Sequence, residues 1–373
     1  MISCIVCAID GSNHSYRAIQ LAFPPLSISK CGHEEYGKRS AAVFSESHQQ
    51  AIWSARTSTR HPQVPYLGAC DDAHCETTQL EGTKPMSKKL TPAQVRDINK
   101  QYLPRLTVPN ADALVQASER RSAKVRDQFS GELGLAYGDS PGQVLDIFPA
   151  SNKNAPVFMF IHGGYWRARD LNRQTYSHVA KPFVQAGATV VLPDYDLCPD
   201  VRVTNIVNQV RAAFVWIYRN VRKFNGNPRA IYVCGHSAGG HLTGMLHATD
   251  WKKLAGIPNT AIKGAAPLSG LFDIEPHRHS QLQVDIRLSA REAKALSPLY
   301  LPVISRAPVI AAVGADEPHL FHWQSFAYAA HLRKHRVQAD YVATPSDNHF
   351  TITDRLGRAS DPLTKRIIRM MDA

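Results

Sequence analysis

The apolar run Ala230-Ile231-Tyr232-Val233-Cys234 leads straight into Gly235-His236-Ser237-Ala238-Gly239, and Gly240-His241-Leu242-Thr243-Gly244-Met245-Leu246 follows. A strand, a G-x-S-x-G turn and a helix in that order put a serine at the apex of a sharp, strained corner. Glycines are needed on both sides because a Cβ there would clash as the hydroxyl is pushed into the open. A chance G-x-S-x-G in a loop would lack both the strand before it and the helix after it.

A second turn points to the same chemistry. The run 157–161 ends in His162-Gly163-Gly164-Tyr165-Trp166. Small residues after such a strand let backbone N–H groups approach a substrate carbonyl. Gly163, Gly164 and Ala238, the residue after the serine, are therefore the expected oxyanion-hole donors. Removing one such donor typically raises a barrier by about 3–4 kcal/mol.

Around these turns the chain alternates short apolar, β-branched runs with helical patterns. Strands are expected over 143–148, 157–162, 189–193, 230–235, 262–268, 309–313 and 337–343, and helices over 171–186, 201–224, 238–249 and 322–335. Near-continuous apolar strands separated by helices imply an α/β fold, with a mostly parallel sheet covered on both faces. Segment 271–300 is polar and helix-prone, and as an insertion at a strand's C-terminal end it is expected to overhang the ligand crevice as a cap.

When a serine sits on such a turn, an acid and then a histidine follow in the chain. The run 307–313 ends in Gly314-Ala315-Asp316-Glu317-Pro318, which puts an acid at the catalytic edge of the sheet. Asp316 is the expected member, with Glu317 as alternative and Asp285, inside the insertion, a weaker one. His319, His322, His331, His335 and His349 follow. The first four lie in or beside a helix, whereas His349 sits in the loop after the last strand, where the base belongs. The expected triad is Ser237, Asp316 and His349, acting on a small-molecule substrate without a metal or organic cofactor.

Composition excludes several other classes. Lys and Arg outnumber Asp and Glu by 43 to 31, a net charge of +12. The basic residues come singly or in pairs, short of the runs of 5–8 that mark nucleic-acid patches, so no nucleic-acid partner is expected. No apolar stretch nears the roughly 20 residues needed to span a bilayer, and the N-terminus lacks a convincing leader, so a cytoplasmic protein without a membrane partner is expected. Oligomeric state is open, with a homodimer allowed.

Residues 1–85 differ from the rest. They lack a sustained 3.6- or 2-residue apolar repeat, and seven basic residues stand against eight acidic ones. They hold five of the seven cysteines (Cys4, Cys7, Cys31, Cys70, Cys75), at spacings that suit neither a zinc site nor a disulfide framework. This segment is expected to be a poorly organised extension. Met86 is an alternative start, followed by a helix after a Thr91 cap and by the main domain over 86–373.

HGGYW at 162–166, GHSAGGHL at 235–242, LSGLFD at 268–273, LSP at 296–298, the VGADE and QS elements of 313–325 and DNHF at 347–350 together resemble the kynurenine formamidases (arylformamidases). This is a branch of the α/β-hydrolases near the hormone-sensitive-lipase-like esterases. Pro193-Asp194-Tyr195-Asp196-Leu197-Cys198-Pro199 also resembles the D-Y-R-L-A-P block of those esterases, departing from it at Asp196 and Cys198. The resemblance covers about 143–373. Tyr165 and Trp166, where many esterases carry a third glycine, favour the formamidase branch. The resemblance implies an α/β-hydrolase fold and hydrolysis of N-formylkynurenine to kynurenine and formate. Tyr165 and Trp166 would then restrict the acyl side, and Phe272, Phe321 or Trp323 would form an aromatic wall for the aryl group. A carboxylesterase acting on short-chain esters is the main alternative, and a hydrolase-fold binding protein with a dead site a remote one.

Overall fold

A computed structural model describes residues 90–372, and ahead of them two short paired strands, Ile5–Val6 and Ile19–Gln20. The expectations for residues 1–85, including the cysteine spacings and the Met86 start, otherwise lie outside the described residues. By contact density the chain divides into two units, Met1–Gly82 and Thr83–Ala373.

The second unit is built on an eight-stranded sheet. Its strands are β1 (Glu132–Ala136), β2 (Val144–Phe148), β3 (Ala155–Ile161), β4 (Thr189–Pro193), β5 (Gly226–His236), β6 (Ile262–Leu268), β7 (Val309–Gly314) and β8 (Ala339–Thr344). Their spatial order is β8-β7-β6-β5-β3-β4-β2-β1. Strands β3 to β8 pair in parallel, and β2 runs antiparallel to both β4 and β1.

The period of two along β3 shows why its sequence is a continuous apolar run. Val157, Met159 and Ile161 face one buried cluster with Ile206, Val210 and Phe214, while Phe158 and Phe160 face another with Phe183, Ile352 and Ile367. Both faces are covered, so neither set of alternate residues can be polar.

The helices supplying that cover are α1 (Pro92–Tyr102), α2 (Ala111–Gln128), α3 (Ala180–Gln185), α4 (Val203–Asn220), α5 (Ala238–His247), α6 (Trp251–Ala255), α7 (Gln283–Ile286), α8 (Ala290–Ala295), α9 (His319–Lys334), α10 (Ile352–Arg355) and α11 (Pro362–Met371). Helix α1 starts at Thr91, whose side chain accepts from Gln94 N while Gln94 Oε1 accepts from Thr91 N at 2.9 Å, with Pro92 in the first turn. Stretch 171–186 is only partly α-helical, because a 3-10 helix over Arg173–Val179 precedes α3. Strand β1, largely exposed at the sheet edge, and helices α2 and α11 had no counterpart among the expected elements.

Segment 271–300 is indeed a short helical insertion, holding a 3-10 turn (Glu275–His279), α7 and α8. Its His277 ring lies 5.5 Å from Trp166 and 4.7 Å from Tyr102, so it packs against the turn that follows β3. Among the described residues no helix is long and apolar enough to cross a membrane.

Candidate active site

The serine turn has the strain its sequence demands. Ser237 has φ +57° and ψ −118°, a backbone region that side-chain-bearing residues rarely adopt. It is held by Ser237 N donating to Leu268 O at 2.9 Å and by His241 N donating to Ser237 O at 3.0 Å. A Cβ on Gly239 would sit 2.0 Å from Ile161 O, so only glycine lets the start of α5 press against the end of β3. Ala238 opens α5, where the first N–H groups have no intrahelical carbonyl to meet.

The turn after β3 closes on this corner. A Cβ on Gly163 would lie 3.2 Å from Ser237 Cβ and 2.9 Å from His236 O, which places this backbone directly beside the serine. Gly164, Tyr165 and Trp166 follow with φ of +117°, +54° and +59°, three left-handed residues in succession. Arg167 N and Ala168 N both donate to Gly164 O, and Cys198 N donates to Trp166 O, which over-determines this costly loop.

Beneath it lies a network that the sequence patterns left unassigned. Asp194 Oδ1 stands 3.0 Å from His162 Nε2, out of line for a good hydrogen bond, and also accepts from Arg173 N at 2.8 Å. The Arg173 guanidinium bridges Asp194 and the buried Asp146. Burial pushes the Asp194 carboxyl up, but His162 and Arg173 outweigh it and hold the group below its ordinary range. Tyr195 stacks on the His162 ring at 4.3 Å and donates from its hydroxyl to His162 O at 2.9 Å. These contacts fix the start of the glycine turn from behind. Asp194 and Tyr195 belong to the block noted for its likeness to D-Y-R-L-A-P, the one signal that pointed to them.

The loops after β7 and β8 bring the third component. His349 Nδ1 lies 2.6 Å from Glu317 Oε2, and both side chains are buried. Glu317 Oε1 accepts from Ser269 Oγ at 2.5 Å and from Gly314 N at 2.7 Å. Asp316, the expected acid, is exposed instead and makes no side-chain bond to His349. The reason is local. Asp316 N donates to Asp347 O and Glu317 N to Gly314 O, a tight turn that sends adjacent side chains to opposite sides and only Glu317 inward. Asp285 is paired with Arg167 in the insertion. The other late histidines lie elsewhere, with His322 bonded to the Tyr341 hydroxyl and His331 packed on His335. The His349 ring also lies 4.5 Å from that of His236, joining the acid–base pair to the residue before Ser237.

The aromatic residues separate into different settings. Phe321 is 4.6 Å from the His349 ring, at the site. Phe272 stacks on Tyr328 at 4.0 Å and fills the space above Gly244 and Gly270, so it is core and not a wall. Trp166 is fully buried, donating from Nε1 to His241 Nδ1 at 3.2 Å. Tyr165 is largely buried beside Arg105 and Arg167, and burial pushes its hydroxyl up to about 12. Trp323 is half-buried on α9 and, among the described residues, makes no ring contact with the site. No group of three metal-ligating side chains occurs among the described residues.

The chain is similar to several known hydrolases. The BD-FAE family matches residues 145–266, which run from β2 into β6. The chain is 28% identical over 295 residues to a kynurenine formamidase from Salmo salar, covering 74% of this chain and 98% of that protein. A kynurenine formamidase from Danio rerio is likewise 28% identical, over 69% of this chain and 88% of its own length. A shorter match, 33% identity over 149 residues, is to the esterase LipC of Mycobacterium tuberculosis. Among solved structures, a candidate thioesterase from Silicibacter aligns with TM-score 0.65 and 26% identity, over 73% of this chain and 98% of its own. An esterase from Pyrobaculum calidifontis, at 17% identity, TM-score 0.56 and coverage of 76% and 99%, shares the fold.

Proposed function

Because the chain belongs to the α/β-hydrolases, on the kynurenine formamidase branch near the hormone-sensitive-lipase-like esterases, and is an enzyme of the serine hydrolase type, we propose that it cleaves N-formyl arylamides, with N-formylkynurenine as its substrate. The observation that carries this reading is the similarity to a formamidase over 98% of its length and 74% of this chain, together with the Tyr165-Trp166 pair held left-handed directly after the two glycines. Trp166 is fully buried, so it shapes this turn from within rather than touching the acyl group, and the formyl group, the smallest acyl group, needs little room beside the turn.

In this mechanism Ser237 Oγ attacks the formyl carbon as His349 takes its proton through Nε2. Glu317 holds the Nδ1 proton, fixing the tautomer and balancing the imidazolium that forms. The carbonyl electrons move onto oxygen, where the N–H groups of Gly163, Gly164 and Ala238 stabilise them. Collapse breaks the C–N bond, and His349 returns its proton to the arylamine nitrogen, a better leaving group than an alkylamine. Water then attacks the formyl ester of Ser237 and gives a proton to His349. Formate departs as the serine recovers its hydrogen.

The second reading, a carboxylesterase for short-chain esters, is supported by the likeness to the mycobacterial esterases. The test is a side-by-side assay of purified protein and its Ser237→Ala variant. N-formylkynurenine is expected to exceed p-nitrophenyl acetate in kcat/KM, with both activities lost in the variant. An ester-only profile would reject the formamidase reading, and full activity in the variant would reject the nucleophile.

A further inference from the structure

A cavity of about 300 Å³ opens beside the acid–base pair, lined by Lys100, Gln101, Asp316, Glu317, Asn348 and His349 among others. One wall is the end of α1, fixed over the site in two ways. Gln101 Oε1 accepts from Leu320 N at 3.3 Å, and the Tyr102 ring packs on Phe321 at 5.9 Å, which in turn packs on His349. The opposite wall is the pair of loops after β7 and β8. Lys100 stands on the first wall and Asp316 on the second, both exposed, and neither takes part in an ion pair among the described residues. The Glu317 carboxylate is buried against His349, so Asp316 supplies the accessible negative charge on its side. Asn348 spends its Oδ1 on Phe350 N and Thr351 N, which leaves its amide nitrogen to donate.

One cation and one anion facing a cavity, unpaired with each other, suit a ligand group that carries both charges. A lone carboxylate would gain from Lys100 and be repelled by Asp316, and a lone ammonium the reverse. We propose that Lys100 and Asp316 form a subsite for a zwitterionic α-amino-acid group on the substrate, Lys100 meeting the carboxylate and Asp316 the ammonium. The subsite rests on the formamidase reading, because an arylformamide with an amino-acid side chain carries such a group and a simple short-chain ester does not. Asp316 thereby becomes a specificity-determining residue one position away from the acid that serves His349.

The experiment reads binding through inhibition, so it does not require formamide turnover. Hydrolysis of p-nitrophenyl acetate is inhibited with L-kynurenine and with 2-aminoacetophenone, which keeps the arylamine and ketone but lacks the amino-acid group. Each protein is normalised to its own uninhibited rate. The wild type is expected to bind L-kynurenine at least tenfold more tightly than 2-aminoacetophenone. Lys100→Ala and Asp316→Asn should each remove most of that preference, and Lys100→Arg should keep it. Equal inhibition of the wild type by both compounds, or a preference surviving in both variants, overturns the subsite. A preserved preference in an enzyme unable to hydrolyse N-formylkynurenine would instead sink the formamidase reading alone.

Discussion

Replacing Glu317 by Gln changes one atom in a carboxylate whose two oxygens are both committed. Oε1 accepts from Gly314 N at 2.7 Å and from Ser269 Oγ at 2.5 Å, and Oε2 faces His349 Nδ1 at 2.6 Å. The Gly314 N–H cannot become an acceptor, so the amide oxygen of Gln must stay on that side. Its NH2 then points at His349 Nδ1 and can be accommodated only if that nitrogen carries no proton. The proton moves to Nε2, the nitrogen that should accept from Ser237. An imidazole held in the wrong tautomer typically loses about 10⁴ in kcat, or ~5.5 kcal/mol of barrier. The expected result for Glu317→Gln is therefore a fall of 10³ to 10⁴ in kcat with an unchanged thermal melt, since the group stays buried and bonded. Asp316→Asn, on the rim of the cavity, should lower kcat for p-nitrophenyl acetate less than tenfold. Activity of Glu317→Gln within tenfold of wild type, with collapse in Asp316→Asn, would refute the assignment and return the acid to the position expected from the sequence.

Gly239→Ala should destabilise the domain by about 3 kcal/mol or more, because the new methyl meets two backbone oxygens of the β3 end, at 2.0 Å and 2.5 Å, that no rotamer change can move. A urea denaturation midpoint equal to wild type would contradict that. Acid should also weaken the fold. His178, His241 and His247 are buried, and burial lowers each to about 4, against about 6.5 in the unfolded chain. Between those values the unfolded chain binds more protons, so the stability present above pH 6.5 is lost as pH falls towards 4, by up to about 3 kcal/mol per histidine. Urea midpoints at pH 7.5 and 5 report this, His247→Gln should narrow the difference by that one residue's share, and midpoints independent of pH would show that these rings do not stay neutral.

Strands β3 to β7 could be read from the sequence because burial on both faces writes itself as an uninterrupted apolar run. Helix α2 could not, since its polar residues carry a weak apolar stripe, and its buried Ser118 and Ser122 bond to Thr175 O across the fold. The exposed edge strand β1 has no buried face to mark it.

The same division holds at the site. Ser237, Gly239 and Gly163 were determined by the sequence alone, because a strained corner and a close backbone approach each demand a particular residue at a particular place in a short stretch of chain. His349 followed from chain order and from its position after the last strand. The choice between Asp316 and Glu317, the bracing of His162 by Asp194, Arg173 and Tyr195, and the placement of Lys100 across from Asp316 were decided only by the tertiary structure. Two neighbouring acids in a turn look alike in any pattern. What separates them is that the folded turn aims one at an imidazole contributed by a distant loop and leaves the other in water.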